Sequence, residues 1–449
     1  MKFVFFTPFA VNSAIGRVTA LLIGALDRMG HSAVVVRTER QELLGSPAHA
    51  SPAPVLPWDD ESQVLSTTRD ADALIYQIGN NYAFHHGGLH WLARLPGIVC
   101  LHDFLLAHLF ADWAAFHRSQ AESVLDHWYG EQAPIEFFEA ACSTPEGFAD
   151  TAARHYPMTE WICAQALAVV SHSHWGMQRV ANACAGPLRV VPLPYDAPGA
   201  ARAPGMRKDD KVRILTVGHV NSNKRIDSVI RAIGASPLLR DAVTYQLCGL
   251  IQSAVKEELS ALASSLGVEL LVSGETDDAA LQRAMLEADI ACCLRWPSFE
   301  AASATTIEGL LYGKAVVVTD AAFYAELPDD CVRKVAPIDE DAGLRAVLED
   351  LVADAPARVA MARRGQAWAA RTFSADGYAA ELVGMARHAA AAWPVLDMAE
   401  TLSGLLASWQ ASSALMAADD IADPLALFQV VGRLPPGAAS ADPGESASL

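Results

Sequence analysis

Short, mostly apolar runs alternate with longer amphipathic stretches along most of the chain. The runs fall at residues 3–6, 33–37, 73–79, 98–101, 166–170 and 190–194, and again at 212–217, 243–248, 268–272, 289–294 and 315–318. Apolar runs this short, closed by Gly, Pro, Ser or Asn, fit strands buried on both faces of a parallel sheet. The stretches between them carry helical spacing, as in Arg17–Met29, Ile226–Ile233 and Leu281–Glu287. Strand and helix in alternation predict βαβ units and an α/β, doubly wound architecture. Residues 45–57 are rich in Pro, Ala and Ser and read as a surface loop. Between Phe104 and Trp161 the pattern is helical and unusually aromatic. Such a stripe packs a helical core, with stacking on sugar faces or contact with lipid as the alternatives.

The segment around Asp196–Asp210, with Pro198, Gly199, Pro204 and Gly205, has the composition of a linker. It divides the chain into a domain at 1–198, a linker at 199–210 and a second domain at 211–372. A helix started by Phe373-Ser374-Ala375-Asp376 follows to about residue 392. Residues 393–449 read as an Ala/Leu-rich helical appendage and, from Pro435, a disordered tail.

With 449 residues the chain suits two domains, and 52% hydrophobic with 19% charged residues marks a globular protein. A net charge of −19 argues against a nucleic-acid partner. The eight cysteines show no Cys-x-x-Cys spacing and several lie in apolar runs, which suits free thiols in a reducing cytoplasm. The apolar start is interrupted by Pro8 and reads as a first strand, not a signal peptide, and no run is long enough to span a membrane.

The chemistry concentrates in Trp296–Asp320, WPSFEAASATTIEGLLYGKAVVVTD. A Pro-Ser turn precedes Glu300, and Glu308 follows after seven residues. Between them Ser303-Ala304-Thr305-Thr306 suits a helix start, and Gly313 its C-terminal cap. A helix begun near Ser303 presents free N–H groups and a positive dipole end, which favours a phosphate. Gly309–Lys314 nearly spells a P-loop, but the spacing is one residue short and Ala315 replaces the needed hydroxyl. His86 and His90 could share a helical face, yet no third metal ligand is evident, and Asp339-Glu340-Asp341 reads as helix-start acids.

The Pro-Ser turn, Glu-x7-Glu, small-residue helix start and Gly-x-x-Val-Val exit resemble the donor site of retaining GT-B glycosyltransferases, specifically glycosyltransferase family 4. Gly79-Asn80-Asn81, Pro96-Gly97 and Leu101-His102-Asp103 are similar to bacterial members of that family. The resemblance spans about residues 1–392 and implies a GT-B fold. In that fold two Rossmann-like domains face one another, with a C-terminal helix crossing back to the first. The implied activity is transfer of a sugar from a nucleotide-diphosphate sugar to an acceptor hydroxyl, with retention and without metal or other cofactor. Expected partners are a nucleotide sugar and a glycan, lipid-linked or other hydroxyl acceptor. The expected location is cytoplasmic, with room for peripheral contact at the inner face of the membrane.

By the same resemblance His102 lies near the donor sugar and Gly16 approaches the diphosphate. Lys224 matches the family's diphosphate-clamping lysine on the loop after Gly218. His219 stands where the family has an arginine, and Arg225 where it has a second glycine, so Arg225 is the expected source of the missing charge. Ser303, Thr305 and Thr306 form the phosphate end of the helix, Glu308 holds the ribose and Glu300 lies by the transferred sugar. Glu300-Ala301-Ala302-Ser303 replaces the family's Glu-Gly-Phe-Gly. Two rival readings follow: a sugar-nucleotide epimerase on the same fold, and a catalytically weak subunit that recognises glycans or supports a partner.

Overall fold

The computed structural model describes residues 1–195, 211–275, 277–298 and 300–409. The expected linker at 199–210, and the tail beyond 409, lie outside the described residues. Seven parallel strands build the first sheet: β1 (Lys2–Thr7), β2 (Ser32–Arg37), β3 (Val55–Pro57), β4 (Ala73–Ile78), β5 (Ile98–Leu101), β6 (Ala168–Ser171) and β7 (Leu188–Val190). Their spatial order is β3-β2-β1-β4-β5-β6-β7. Six more build the second: β8 (Val212–Val217), β9 (Val243–Cys248), β10 (Leu270–Gly274), β11 (Ile290–Cys293), β12 (Ala315–Thr319) and β13 (Val332–Val335). Their order is β10-β9-β8-β11-β12-β13.

In each sheet the order reverses beside the first strand, between β1 and β4 and between β8 and β11. Loops leaving two neighbouring strand ends diverge at such a point, and the crevice between them is where this architecture takes ligands. The register pins it: Val4 pairs with Val34 on one side and Leu74 on the other. Ile290 likewise pairs with Ala315 and Ile214. All five residues of β12 are buried, which explains an apolar run without alternation. Helix Ile226–Gly234 turns Ile226, Val229, Ile230 and Ile233 inward at helical spacing.

Several elements differ from the sequence expectation. The first helix is Ala14–Arg28, not Arg17–Met29, because the Ser13 hydroxyl caps it by accepting from Gly16 N–H at 3.0 Å. Gly16 therefore sits inside a helical turn, not in the loop. The run 190–194 is strand only up to Val190, and Pro192 beyond it lacks the N–H a ladder needs. Edge strands β3 and β13 were not expected; β3 lies within the Pro/Ala/Ser-rich stretch. The aromatic stripe is mostly core, with Phe104, Phe110 and Phe137 buried, although Phe116 stays 69% exposed.

The late helix does not stop near residue 392; it runs as Ala375–Ser408 through Pro394. It crosses to the first domain, where Asp376 pairs with Arg28 at 2.6 Å and Glu381 with Arg189. Tyr378, Leu382, Met385 and Ala389 share one buried cluster with Val18, Leu22 and Ile23 of the first domain and Ile307 and Leu310 of the second. All eight cysteines are free, and all but Cys142 are buried.

Candidate active site

A cleft of about 380 Å³ opens between the two sheets. The second domain lines it with Gly218, His219, Asn221, Asn223, Lys224, Arg295, Glu300 and Ala302–Thr305, and the first contributes Asp103. The two walls touch directly: Ala301 N–H donates to His102 O at 3.1 Å, and Asp103 and Glu300 form an antiparallel bridge.

Lys224 arrives from the loop after β8. Gly218 turns that loop at φ +94°, and a Cβ there would lie 2.7 Å from Lys224 Nζ, so only glycine satisfies both the backbone and the lysine. Nζ donates to Val217 O at 2.5 Å, and the side chain is buried. Burial, and then the charge of Arg295, push the lysine down to about 7. His219, next to Gly218, is exposed.

The helix start is built as the sequence suggests. Ser303 caps Ala304–Leu311, its Oγ accepting from Thr306 N–H at 3.4 Å, and Gly313 closes the end at φ +65°. Thr305 faces the cleft, whereas Thr306 is fully buried with its hydroxyl on Ser303 Oγ at 3.1 Å. The near-P-loop lysine, Lys314, is tied elsewhere: Nζ donates to Leu286 O and Ala288 O at 2.9 and 2.8 Å.

Glu300 receives Arg295 Nε–H at 3.0 Å and the Tyr324 hydroxyl at 2.7 Å on one oxygen, Oε1. Ala301 and Ser303, which stand where the family has its two glycines, are buried and neither adopts positive φ (Ser303 is at −112°), so the loop does not need glycine there.

Five expected residues, the buried Thr306 among them, do not line this cleft. Arg225 adopts the left-handed region at φ 54°, and its Nε donates to the buried Glu340 at 2.7 Å; Ser228 Oγ donates to the same oxygen at 3.0 Å. Arg225 thus anchors its own helix to Glu340, which is more than a helix-start acid, and it does not supply the charge missing at His219. Gly16 is fixed by its own domain, since a Cβ would lie 2.8 Å from Pro8 O. Glu308 sits one turn into its helix, beside Tyr312. His102 shares the wall through its carbonyl, while its Nε2 meets Gln77 Oε1 at 2.6 Å and its ring lies 5.0 Å from that of His172.

Asp103, Asn221, Asn223 and Arg295 were missed. Asp103 ends the Leu-His-Asp motif and Arg295 adjoins the Trp-Pro-Ser turn, so position beside a motif was the available signal. Asp103 Oδ2 accepts from Asn80 N–H at 2.8 Å, yet burial raises its carboxyl to about 6. Burial also pushes His85 to about 3 and His172 to about 4, and holds His102 well below the usual imidazole range. His86 and His90 pack on Trp58, with ring centroids 4.9 and 5.5 Å away. Among the described residues no group of three His, Cys, Asp or Glu side chains could hold a metal.

Residues 200–368 match the family described as glycosyl transferases group 1. No curated protein sequence matches the chain. Among solved structures, HepE from Anabaena in complex with UDP and glucose aligns at a TM-score of 0.57 and 17% identity, covering 90% of this chain and 100% of that one. A sucrose-phosphate synthase from Thermosynechococcus elongatus aligns at 0.58 and 14%, covering 87% and 100%. WaaG, a glycosyltransferase involved in lipopolysaccharide biosynthesis, aligns at 0.54 and 15%, covering 84% and 98%. At these identities the likeness establishes the fold, which is that of the GT-B glycosyltransferases. With the match over the second domain, it supports the glycosyltransferase superfamily.

Proposed function

We propose that the chain transfers a sugar from a nucleotide-diphosphate sugar to an acceptor hydroxyl, with retention of anomeric configuration and without a metal ion. The observation that carries this is the gathering of Lys224, Arg295 and the open end of helix Ala304–Leu311 in one interdomain cleft at the switch point of the second sheet. A departing nucleoside diphosphate leaves with its bonding electron pair on the β-phosphate oxygen. Fixed donors aimed at that oxygen lower the barrier most where water is excluded. These positive groups do the work that a cation would otherwise do. That the Anabaena relative binds UDP supports a nucleotide-sugar donor.

The second domain holds the donor, with Glu308 toward the ribose and Glu300 by the transferred sugar; the first receives most of the acceptor. Neither glutamate lies on the first domain, from which an inverting base would act, and Asp103, the first-domain carboxylate at the cleft, has Oδ2 engaged by Asn80 N–H. In the retaining reaction proposed, the acceptor oxygen forms the new bond on the face the phosphate leaves, and its proton passes to the departing phosphate oxygen. The acceptor class is a glycan or lipid-linked alcohol, made in the cytoplasm or at the inner membrane face. No helix among the described residues is long and apolar enough to cross a membrane. The weak-subunit reading is not favoured, because Ala301 and Ser303 replace the family's glycines without positive φ, although His219 still stands in place of its arginine.

The test is incubation of the full chain with a panel of nucleotide sugars, followed by NMR of any new glycosidic bond. Turnover that persists in EDTA with a retained linkage is expected. An inverted linkage, or loss in EDTA with rescue by Mn²⁺, overturns the mechanism.

A further inference from the structure

Arg295 leaves the end of β11 and is held on three sides. Its backbone N–H donates to Thr319 Oγ1 at 3.0 Å, Nη1 to Leu294 O at 2.8 Å and Nε to Glu300 Oε1 at 3.0 Å. The side chain is only 10% exposed, yet it lines the cleft together with Lys224. Two buried cations share this void, close enough that the arginine disfavours the lysine's charged form. Of the two cleft carboxylates, Glu300 already serves Arg295, and Asp103 lies on the opposite wall with Oδ2 on Asn80 N–H. Cations crowded together in a poorly solvated place are costly unless an anion of more than one charge joins them. Meanwhile the residue at the expected arginine position, His219, is exposed, and Arg225 is committed to Glu340.

We propose that Arg295 is the second cation of the donor's diphosphate, reaching it from β11 in place of an arginine on the loop after β8. This rests on the reading of the cleft as a nucleotide-sugar site. Arg295 then links two tasks. Its Nε positions Glu300 beside the transferred sugar, while the guanidinium meets the charge growing on the leaving phosphate, a task suited to its fixed planar donors.

Calorimetric titration of the full chain with UDP, GDP and ADP, and with the matching monophosphates, tests it. Arg295→Gln is expected to bind the preferred diphosphate ten- to a hundredfold more weakly and the monophosphate only a few-fold more weakly, with Arg295→Lys recovering part of the loss. Removing the arginine also relieves Lys224, so the pH above which diphosphate affinity falls moves upward from about 7. If Arg295→Gln fails to fold because Glu300 is stranded, the R295Q/E300Q double variant is compared with E300Q, which leaves no unpaired carboxylate. Equal diphosphate affinity in that comparison, or an unmoved pH midpoint, overturns the role of Arg295 and leaves the donor site standing. A wild-type chain that binds none of the diphosphates overturns both.

Discussion

The first-domain wall of the cleft brings up His102, with His172 behind it, and Asp103, all pushed by burial toward uncharged forms. The second-domain wall brings up Lys224, Arg295 and a helix N-terminus, all positive. Both walls are buried, so the difference lies in how each meets the cost of desolvation. On the first, burial favours neutral imidazoles and raises the Asp103 carboxyl to about 6. On the second, Arg295 keeps its charge beside Glu300, while Lys224, lowered to about 7, is fully charged only when an anion joins it. A polyanionic donor on one side and a neutral hydroxyl acceptor on the other is the pairing such walls suit.

The contrast breaks most sharply at Lys224. Lys224→Ala removes a charge-assisted contact worth about 1.5–3 kcal/mol. Nucleoside-diphosphate affinity or turnover should fall roughly ten- to a hundredfold in a folded variant, whereas unchanged affinity would remove the lysine from the donor site. Next in size is the pH response. In the unliganded cleft Lys224 is protonated below about 7 and neutral above it. A diphosphate favours the protonated form and raises its pKa, so affinity is level below that point. Above it, affinity drops by about tenfold per pH unit until the bound-state pKa is reached. Titrations at pH 8 in buffers of differing ionisation enthalpy should register proton uptake, and Lys224→Ala should abolish it.

The opposite wall responds to pH in the other sense. Asp103 titrates near 6 in the fold against an ordinary 3.8. Below both values the two states are equally protonated. As pH rises between them the unfolded chain releases a proton that the folded chain keeps, and stability is lost. Asp103→Asn, which still accepts from Asn80, should therefore raise Tm by about 2–6 °C at pH 8. At pH 3.5 it should leave Tm unchanged; a gain of the same size there would mean that charge is not the cause.

The smallest expected effect concerns how the walls meet. Glu326 of the second domain accepts from the N–H groups of His174 and Trp175 in the first, at 3.0 and 2.7 Å. Glu326→Gln weakens this clasp by about 0.5–1.5 kcal/mol. The domains should open slightly in small-angle scattering and KM rise a few-fold, with kcat little changed.

What could be read from the chain alone was whatever local order determines. Ser303, Gly313 and Lys224 announce a cap, a terminator and a loop cation through residues within a turn or two of themselves. Arg225 looked equivalent to Lys224 because both follow Asn223, and its diversion depends on Glu340, which lies 115 residues further on. Arg295 and Asp103 gain meaning only when β11 and β5 end opposite one another, a fact of interdomain packing with no local signature. Strands β3 and β13 were invisible for another reason: β13 sets two charged residues between its valines and β3 lies among prolines at a half-exposed edge, so neither forms an apolar run. The last helix was expected to end near residue 392, with a separate helical appendage after it, yet one helix runs on to Ser408.

That last helix also sets a timetable. The first domain's apolar face at Val18, Leu22 and Ile23 is covered by Tyr378, Leu382 and Met385, residues from the far end of the chain. During synthesis at roughly 5–20 residues per second, the finished first sheet must wait on the order of 10–40 s before its cover emerges from the ribosome. Throughout that interval the nascent protein displays a greasy stripe to its surroundings. Chaperone demand, and loss to aggregation when translation stalls, should concentrate between completion of β7 and the appearance of residue 389.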